Sequence, residues 1–330
     1  MTITRRIFFA MTALGFAFSP FAHAQEWPAK QPIKVVVPYP AGGNADSAAR
    51  ALGEAITGPL KQTILVDNRP GASSIIGTEA VARSAPDGYT IGVVSDSHAI
   101  NQAMAKLPKA AGILGAKVPY DAVRDFVPIS GTILIPLVLV VNPKIPAHSI
   151  KEVIALSKSK PAGLNFGSMG SGSPWSIHMH QLNEATGSVL VDVPYKGLAP
   201  AANDLLGGQI DIMLMPVHYA QQYIKSGKLI PVATLGAQRH PLLPQVPTLV
   251  ESGYPSLDIS NYIFFVAPAG TPQAIVDKLS KELNIALKTP AMKAKLATSG
   301  DPYPAEPAEL SARLRRDIET YGKVIQNTLK

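Results

Sequence analysis

The chain has 330 residues, 46% of them hydrophobic and 16% charged, which is enough apolar material for two ordinary domains and excludes a disordered chain. Its formal charge of +7 is dispersed and aromatics are only 6%, so no basic stripe marks it for nucleic acid; a mild attraction for small anions is the natural reading. There is no cysteine, which excludes disulfides and thiolate chemistry.

Residues 1–24 have the order of an export signal. Arg5-Arg6 is a charged start, 7–18 an apolar core and Ala22-His23-Ala24 a small-residue cleavage motif. Cleavage is expected after Ala24, with export by the general secretory or the twin-arginine route. No later apolar run has the length of a membrane helix.

The first strand is predicted at Val35-Val36-Val37, where three β-branched residues follow Lys34. Pro38 and Pro40 cannot donate to a ladder and end it, and Gly42-Gly43 permits a tight turn with close approach to the main chain. A helix is expected from Ala45, with Ala48, Ala49, Leu52 and Ile56 on one face and Gly58 as its stop. Strand, Gly-rich turn and helix N-terminus together present free N–H groups at the carboxyl end of a strand.

Two further strands, 63–66 and 89–94, alternate with a helix carrying Ile75, Ile76, Ala80 and Val81 inward, and Ser95-Asp96-Ser97-His98 closes the second. This is the alternation of a parallel α/β sheet. Residues 129–141 are strand-rich and lead to a helix at 150–156. The Gly/Ser-rich turn at 167–173 repeats the first device ahead of Pro174, and Val193-Pro194-Tyr195-Lys196-Gly197 repeats it again ahead of a helix ending at Gly207-Gly208. Three such turns in one chain suggest an anion site. Residues 230–234 read as a strand, 240–248 as a long surface loop, 265–268 as a strand, and 274–287 and 308–329 as helices. The segments 140–146 and 265–272 echo one another as strand, proline and Pro-started helix, which suggests two related halves.

Each candidate has a plainer alternative. Ser168, Ser171 and Ser173 can donate to a ligand, and Ser173 can also cap the helix that Pro174 opens. Tyr39 and Tyr195 can bond a ligand or simply pack. Asp46 fits a charge of the first helical turn, and Lys196 fits solvent. Enzyme signatures are weak: His178 and His180 point about 200° apart on a helix, no H-E-x-x-H, Walker A or G-x-S-x-G sequence occurs, and Ser157-Lys158-Ser159-Lys160 is a short pattern in a Ser/Lys-rich segment.

These residues resemble a known family. Pro38-Tyr39-Pro40-Ala41-Gly42-Gly43 with Asp46 and Arg50, Asn68-Arg69-Pro70-Gly71-Ala72, Pro86-Asp87-Gly88-Tyr89-Thr90 and His98-Ala99-Ile100-Asn101 carry the likeness. So do Gly167-Ser168 through Gly172-Ser173, Val193 to Gly197, Asp204-Leu205-Leu206-Gly207-Gly208-Gln209-Ile210-Asp211 and Ala267-Pro268-Ala269-Gly270-Thr271-Pro272. Together they are similar to the periplasmic substrate-binding proteins of tripartite tricarboxylate transporters, the Bug-type receptors. The chain departs from that pattern at Ala72-Ser73-Ser74-Ile75, where the family more often has further glycine, and at 105–117, which is longer.

The resemblance implies an α/β, two-lobed periplasmic binding protein of type II character, with two crossing segments and the ligand in the cleft between lobes. The expected lobes are 25–127 with 233–330, and 128–232, with crossings near Pro128 and Ala233. It implies a small carboxylate ligand (a di- or tricarboxylate, acidic amino acid or aromatic acid) held by backbone groups, hydroxyls and waters, without a dedicated arginine. The expected ligand set is Tyr39, Ala41, Gly42, Gly43, Asn44, Ser95, Ser97, His98, Gly167, Ser168, Ser171, Ser173, Tyr195 and Lys196. No catalytic residue, metal or cofactor is expected. The partners are the ligand and the membrane components of the transporter, the chain is expected to be a monomer, and a periplasmic hydrolase of a small acid is the alternative.

Overall fold

The computed structural model describes residues 27–107, 110, 117–170, 172–257 and 259–328. The expected export signal with its expected cleavage point, Ser171 and most of the stretch 105–117 lie outside them. The strands in chain order are β1 Ile33–Val37, β2 Ile64–Asn68, β3 Thr90–Ser95, β4 Phe126–Ile135, β5 Leu137–Val141, β6 Leu164–Ser168, β7 Leu190–Pro194, β8 Ile212–Pro216, β9 Ile230–Thr234, β10 Asn261–Pro268 and β11 Asp301–Pro302. The helices are α1 Asn44–Leu60, α2 Ile75–Ala82, α3 Ser97–Ala105, α4 Ile150–Ser159, α5 Pro174–Thr186, α6 Leu198–Gly207, α7 Val217–Lys225, α8 Gln273–Leu287, α9 Pro290–Leu296 and α10 Pro307–Thr328.

The described strands form two sheets. One has the order β11-β4-β10-β3-β1-β2 and the other β7-β6-β8-β5-β9. β1 is buried nearly end to end because parallel neighbours flank it and helices cover both faces, which is why its sequence is an unbroken apolar run and not an alternation. In the second sheet β6 is parallel to β7 and β8. Both sheets finish with antiparallel strands: β10 between β3 and β4, and β5 between β8 and β9.

The chain changes sheets twice. Residues 129–141 divide at Pro136, which separates β4 of the first sheet from β5 of the second and has no N–H to join either ladder. The crossing expected near Pro128 therefore falls at Pro136, because β4 stays paired with β10 as far as Ile135. The return runs from Thr234 to Asn261. It differs from a plain surface loop: Leu243, Val246 and Thr248 are buried in it. The protein is thus a two-lobed α/β molecule. α10 packs on α3 of the first lobe and reaches α5 of the second.

Local chemistry explains most element ends. α1 runs past Gly58 and Pro59 to Leu60, closed by Lys61 in the left-handed region. Gly58 still shapes that end, since its carbonyl accepts the Lys61 N–H. α5 starts as read, with Ser173 Oγ accepting from the Ser176 N–H and Pro174 at its head.

Candidate functional site

A cavity of about 320 Å³ lies where the two lobes meet. The first lobe contributes Tyr39, Pro40, Gly43, Asn44 and Ala45 from the β1–α1 turn, Ser95, Asp96 and Ser97 from the β3–α3 turn, and Ile135, Asn261 and Ile263 from the central antiparallel strands. The second lobe contributes Pro174 and Trp175 at the head of α5.

The hydroxyls of Tyr39, Ser95 and Ser97 form a closed group. Tyr39 Oη lies 2.8 Å from Ser95 Oγ and 3.0 Å from Ser97 Oγ, and it accepts the Ser95 N–H at 3.1 Å. Ser95 Oγ donates to Ser97 Oγ at 2.9 Å and accepts the Ser97 N–H at 3.1 Å. Each hydroxyl has one proton to give. With Tyr39 giving to Ser95 and Ser95 to Ser97, the Ser97 proton is left for a ligand, for Tyr39 Oη or for Ser74 Oγ, 3.2 Å away. Burial pushes the Tyr39 phenol up, against its hydrogen bonds with both serines, so it remains a neutral donor.

Behind this group the backbone is bent hard. Ala72, Ser73 and Ser74 all have positive φ, at 46°, 51° and 73°. A left-handed residue other than glycine costs about 1–2 kcal/mol. Here it is compensated by Asn101 Nδ2 donating to the Ser73 carbonyl at 2.8 Å and by the Ser74–Ser97 contact. This is the stretch where glycine was the expected residue.

Asp46 braces the first turn instead of facing outward. It accepts from the Gly42 N–H at 2.9 Å, from Asn68 Nδ2 at 2.9 Å and from Arg50 Nε. Burial raises its pKa, but the bonds from Arg50, Gly42 and Asn68 outweigh burial and hold the carboxyl below its usual range. Arg50, 3.0 Å away, offsets the negative charge that would otherwise repel an anion at the helix N-terminus. The Gly42 N–H is therefore taken within the turn. The N–H groups of Asn44 and Ala45 have no partner inside α1, as first-turn groups, and their residues form the cavity wall.

Of the expected set, the structure brings Tyr39, Gly43, Asn44, Ser95 and Ser97 together at the cavity, with Ala41 and Gly42 exposed beside it and Ser173 capping α5 next to Pro174. It places five elsewhere. His98 is in the first core, 4.9 Å edge-on to Phe126 and stacked on Tyr120, with Nε2 at 3.2 Å from the Ala122 carbonyl. Gly167 is a packing position, since an added Cβ would come within 2.6 Å of Ile210 Cδ1. Ser168 is fully buried and its hydroxyl accepts the Gly170 N–H. Tyr195 donates to Asp204 Oδ2 at 2.7 Å, and burial with that carboxylate pushes its phenol up to about 12. Lys196 is exposed, and Ser171 lies outside the described residues.

Sequence reasoning missed Trp175, Ile135, Asn261 and Ile263. Trp175 followed directly on the Ser173-Pro174 helix start, so its first-turn position was the available signal; the other three belong to the paired antiparallel strands and have no local mark. The Trp175 indole Nε1 is buried without a hydrogen-bond partner. Asp96 of the first lobe and His178 of the second are both fully buried, 3.4 Å apart and not aligned as a hydrogen bond. Among the described residues no lysine or arginine lines the cavity.

Two α/β lobes around an interlobe cavity, with a helix N-terminus and a hydroxyl group aimed at it, define a two-lobed ligand-binding protein. Residues 48–329 match the model of the tripartite tricarboxylate transporter family receptors. The chain belongs to that family. BugT of Bordetella pertussis is 36% identical over 92% of this chain and 91% of its own. The solved periplasmic binding protein BugD is 32% identical over 90% of this chain and 97% of its own, with a TM-score of 0.72. R. palustris Rpa4515, solved with adipate, is 27% identical over 91% of this chain and 98% of its own, with a TM-score of 0.75.

Proposed function

We propose that the protein is an exported receptor that binds a small carboxylate between its lobes and hands it to membrane components of a tripartite tricarboxylate-type transporter. The observation that carries this is the cavity itself, where the head of α1 and the Tyr39–Ser95–Ser97 hydroxyls face Trp175 across the lobe boundary. An anion at a helix N-terminus meets N–H groups and a partial positive charge. The Ser97 proton and the Trp175 Nε1–H supply two further donors, one from each lobe. Ile135, Ile263, Pro174 and Trp175 make the remaining walls apolar. That combination suits an acid with an apolar body, aliphatic or aromatic, better than a polyanion with charge at every edge.

The family likeness and the signal at 1–24 support periplasmic delivery, with cleavage after Ala24. The chain acts as a monomer in this reading, and the bound acid leaves unchanged. A thermal-shift screen against adipate, aromatic monoacids, citrate and acidic amino acids tests it. An acid present at a hundred times its dissociation constant adds about 2.7 kcal/mol of stability. Stabilisation by apolar-bodied acids, and recovery of those acids intact, is expected. No stabilisation by any carboxylate would overturn the reading, and conversion of the acid would favour a periplasmic hydrolase.

A further inference from the structure

Outside the ligand cleft, the structure brings His218, His240 and Asp301 together, with one metal-ligating atom from each within 4.8 Å of the others. They come from three separate parts of the chain. His218 is in the first turn of α7 in the second lobe, His240 is on the returning crossing segment, and Asp301 is in β11 at the edge of the first sheet. His240 Nε2 lies 3.2 Å from Asp301 Oδ2. The His218 ring stands edge-on to that of His240, with centroids 5.6 Å apart and planes at 87°.

An ordinary His–Asp latch explains His240 and Asp301 but leaves out His218, whose Nε2 is buried with no hydrogen-bond partner. Buried polar atoms are nearly always satisfied, so an orphan beside an imidazole and a carboxylate points to an absent partner. The charge states agree. Burial lowers the His218 pKa, with Asp301 opposing, so its ring offers a lone pair at neutral pH. The bond from His240 holds Asp301 below the usual carboxylate range.

We propose that His218, His240 and Asp301 form a site for a divalent transition metal of the zinc class, tying the second lobe to the first beside the crossing segments. Two imidazoles and one carboxylate are a common donor set for such ions. Tetrahedral bonds of about 2.0–2.1 Å place ligand atoms about 3.4 Å apart, so the three side chains must draw in by roughly 1 Å. A neighbouring cavity of about 630 Å³ leaves room for water in the open positions. His240 Nδ1 accepts the Leu242 N–H at 3.2 Å, which puts the ring proton on Nε2. Ligation through Nε2 therefore moves that proton to Nδ1 and gives up the Leu242 contact, a cost the metal bonds must exceed. His240 also borders a second cavity with Ile135, Pro136 and Leu137, which puts the site beside the first crossing between lobes.

The experiment is calorimetric titration of the tag-free protein with Zn2+, alongside Co2+ titration followed by visible absorption. One saturating equivalent of Zn2+ at micromolar concentration is expected, with Co2+ bands of a tetrahedral or five-coordinate ion. His218→Gln, His240→Gln and Asp301→Asn should each weaken Zn2+ at least tenfold while carboxylate binding is retained, which also reports that the variants fold. Lys293 borders the same cavity, and Lys293→Ala should tighten Zn2+ severalfold. Absence of saturable binding, or equal binding by His218→Gln and the unmodified protein, would overturn the proposal.

Discussion

His98 follows two cavity serines closely in sequence yet faces the other way. Ser97 opens α3 and lines the cavity, and one residue on, a helix has turned by about 100° and carries the imidazole into the aromatic cluster of Tyr120, Phe126 and Phe264. Burial lowers its pKa to about 4, with the Ala122 carbonyl opposing. The sign follows from the unfolded chain, whose imidazole titrates near 6.5. Below that pH the unfolded chain takes up a proton that the folded chain refuses. Stability is fully present above about pH 6.5 and is lost progressively down to about pH 4, by roughly 3 kcal/mol in all. His98→Gln keeps a donor for Ala122 and removes this titration. Urea unfolding at pH 7 and at about pH 4.5 should show a smaller loss for the variant; an unchanged loss would place the neutral histidine elsewhere.

The β1–turn–α1 unit shows what one element contributes. Its two glycines are not equivalent: Gly42 has φ at +81°, whereas Gly43 has φ at −76°. An added Cβ at Gly43 meets only the Pro40 carbonyl, at 3.4 Å. Gly42→Val should therefore cost about 1–3 kcal/mol through a strained backbone, and Gly43→Ala should leave the unfolding midpoint nearly unchanged. The reverse order of midpoints in urea would refute the conformation assigned to the turn. This unit was legible in the sequence because β-branched run, prolines, glycines and helix face are all local signals. Ser168 was not, since the last residue of a strand can point to either face, and only the fold shows its hydroxyl turned back to Gly170. Asn261 and Ile263 were hidden for another reason. Their place at the cavity depends on β10 being threaded between β3 and β4, a pairing across distant parts of the chain.

At the scale of the molecule, the sheets are joined at Pro136 and by the return from Thr234 to Asn261, and the cavity opens between them. The two-lobed plan was readable from the paired Pro-marked echoes and the family likeness, but the point of crossing was not, because 129–141 is one continuous apolar run. The lobe boundary brings together two groups that neither lobe pairs on its own. Asp96 and His178 lie 3.4 Å apart across the boundary, both fully buried. Removing the fully buried imidazole takes away the nearest polar neighbour of Asp96 and leaves a cavity, and truncation of a large buried side chain to alanine typically costs about 2–5 kcal/mol. His178→Ala should lower the urea midpoint accordingly, and a midpoint equal to that of the unmodified protein would show that the pair contributes nothing to holding the lobes.

If the acid sits in this cleft and is gripped from both lobes, Trp175 is the narrowest probe of that grip. Its Nε1–H is buried and unpartnered, and its ring is the main wall on the second-lobe side. Trp175→Phe deletes the donor and keeps an aromatic wall. A hydrogen bond to a charged group contributes about 1.5–3 kcal/mol, so calorimetric titration with the acid that stabilises the protein most should give an affinity roughly 10- to 150-fold weaker for the variant, at an unchanged unfolding midpoint. Equal affinity of Trp175→Phe and the unmodified protein for that acid would contradict the account.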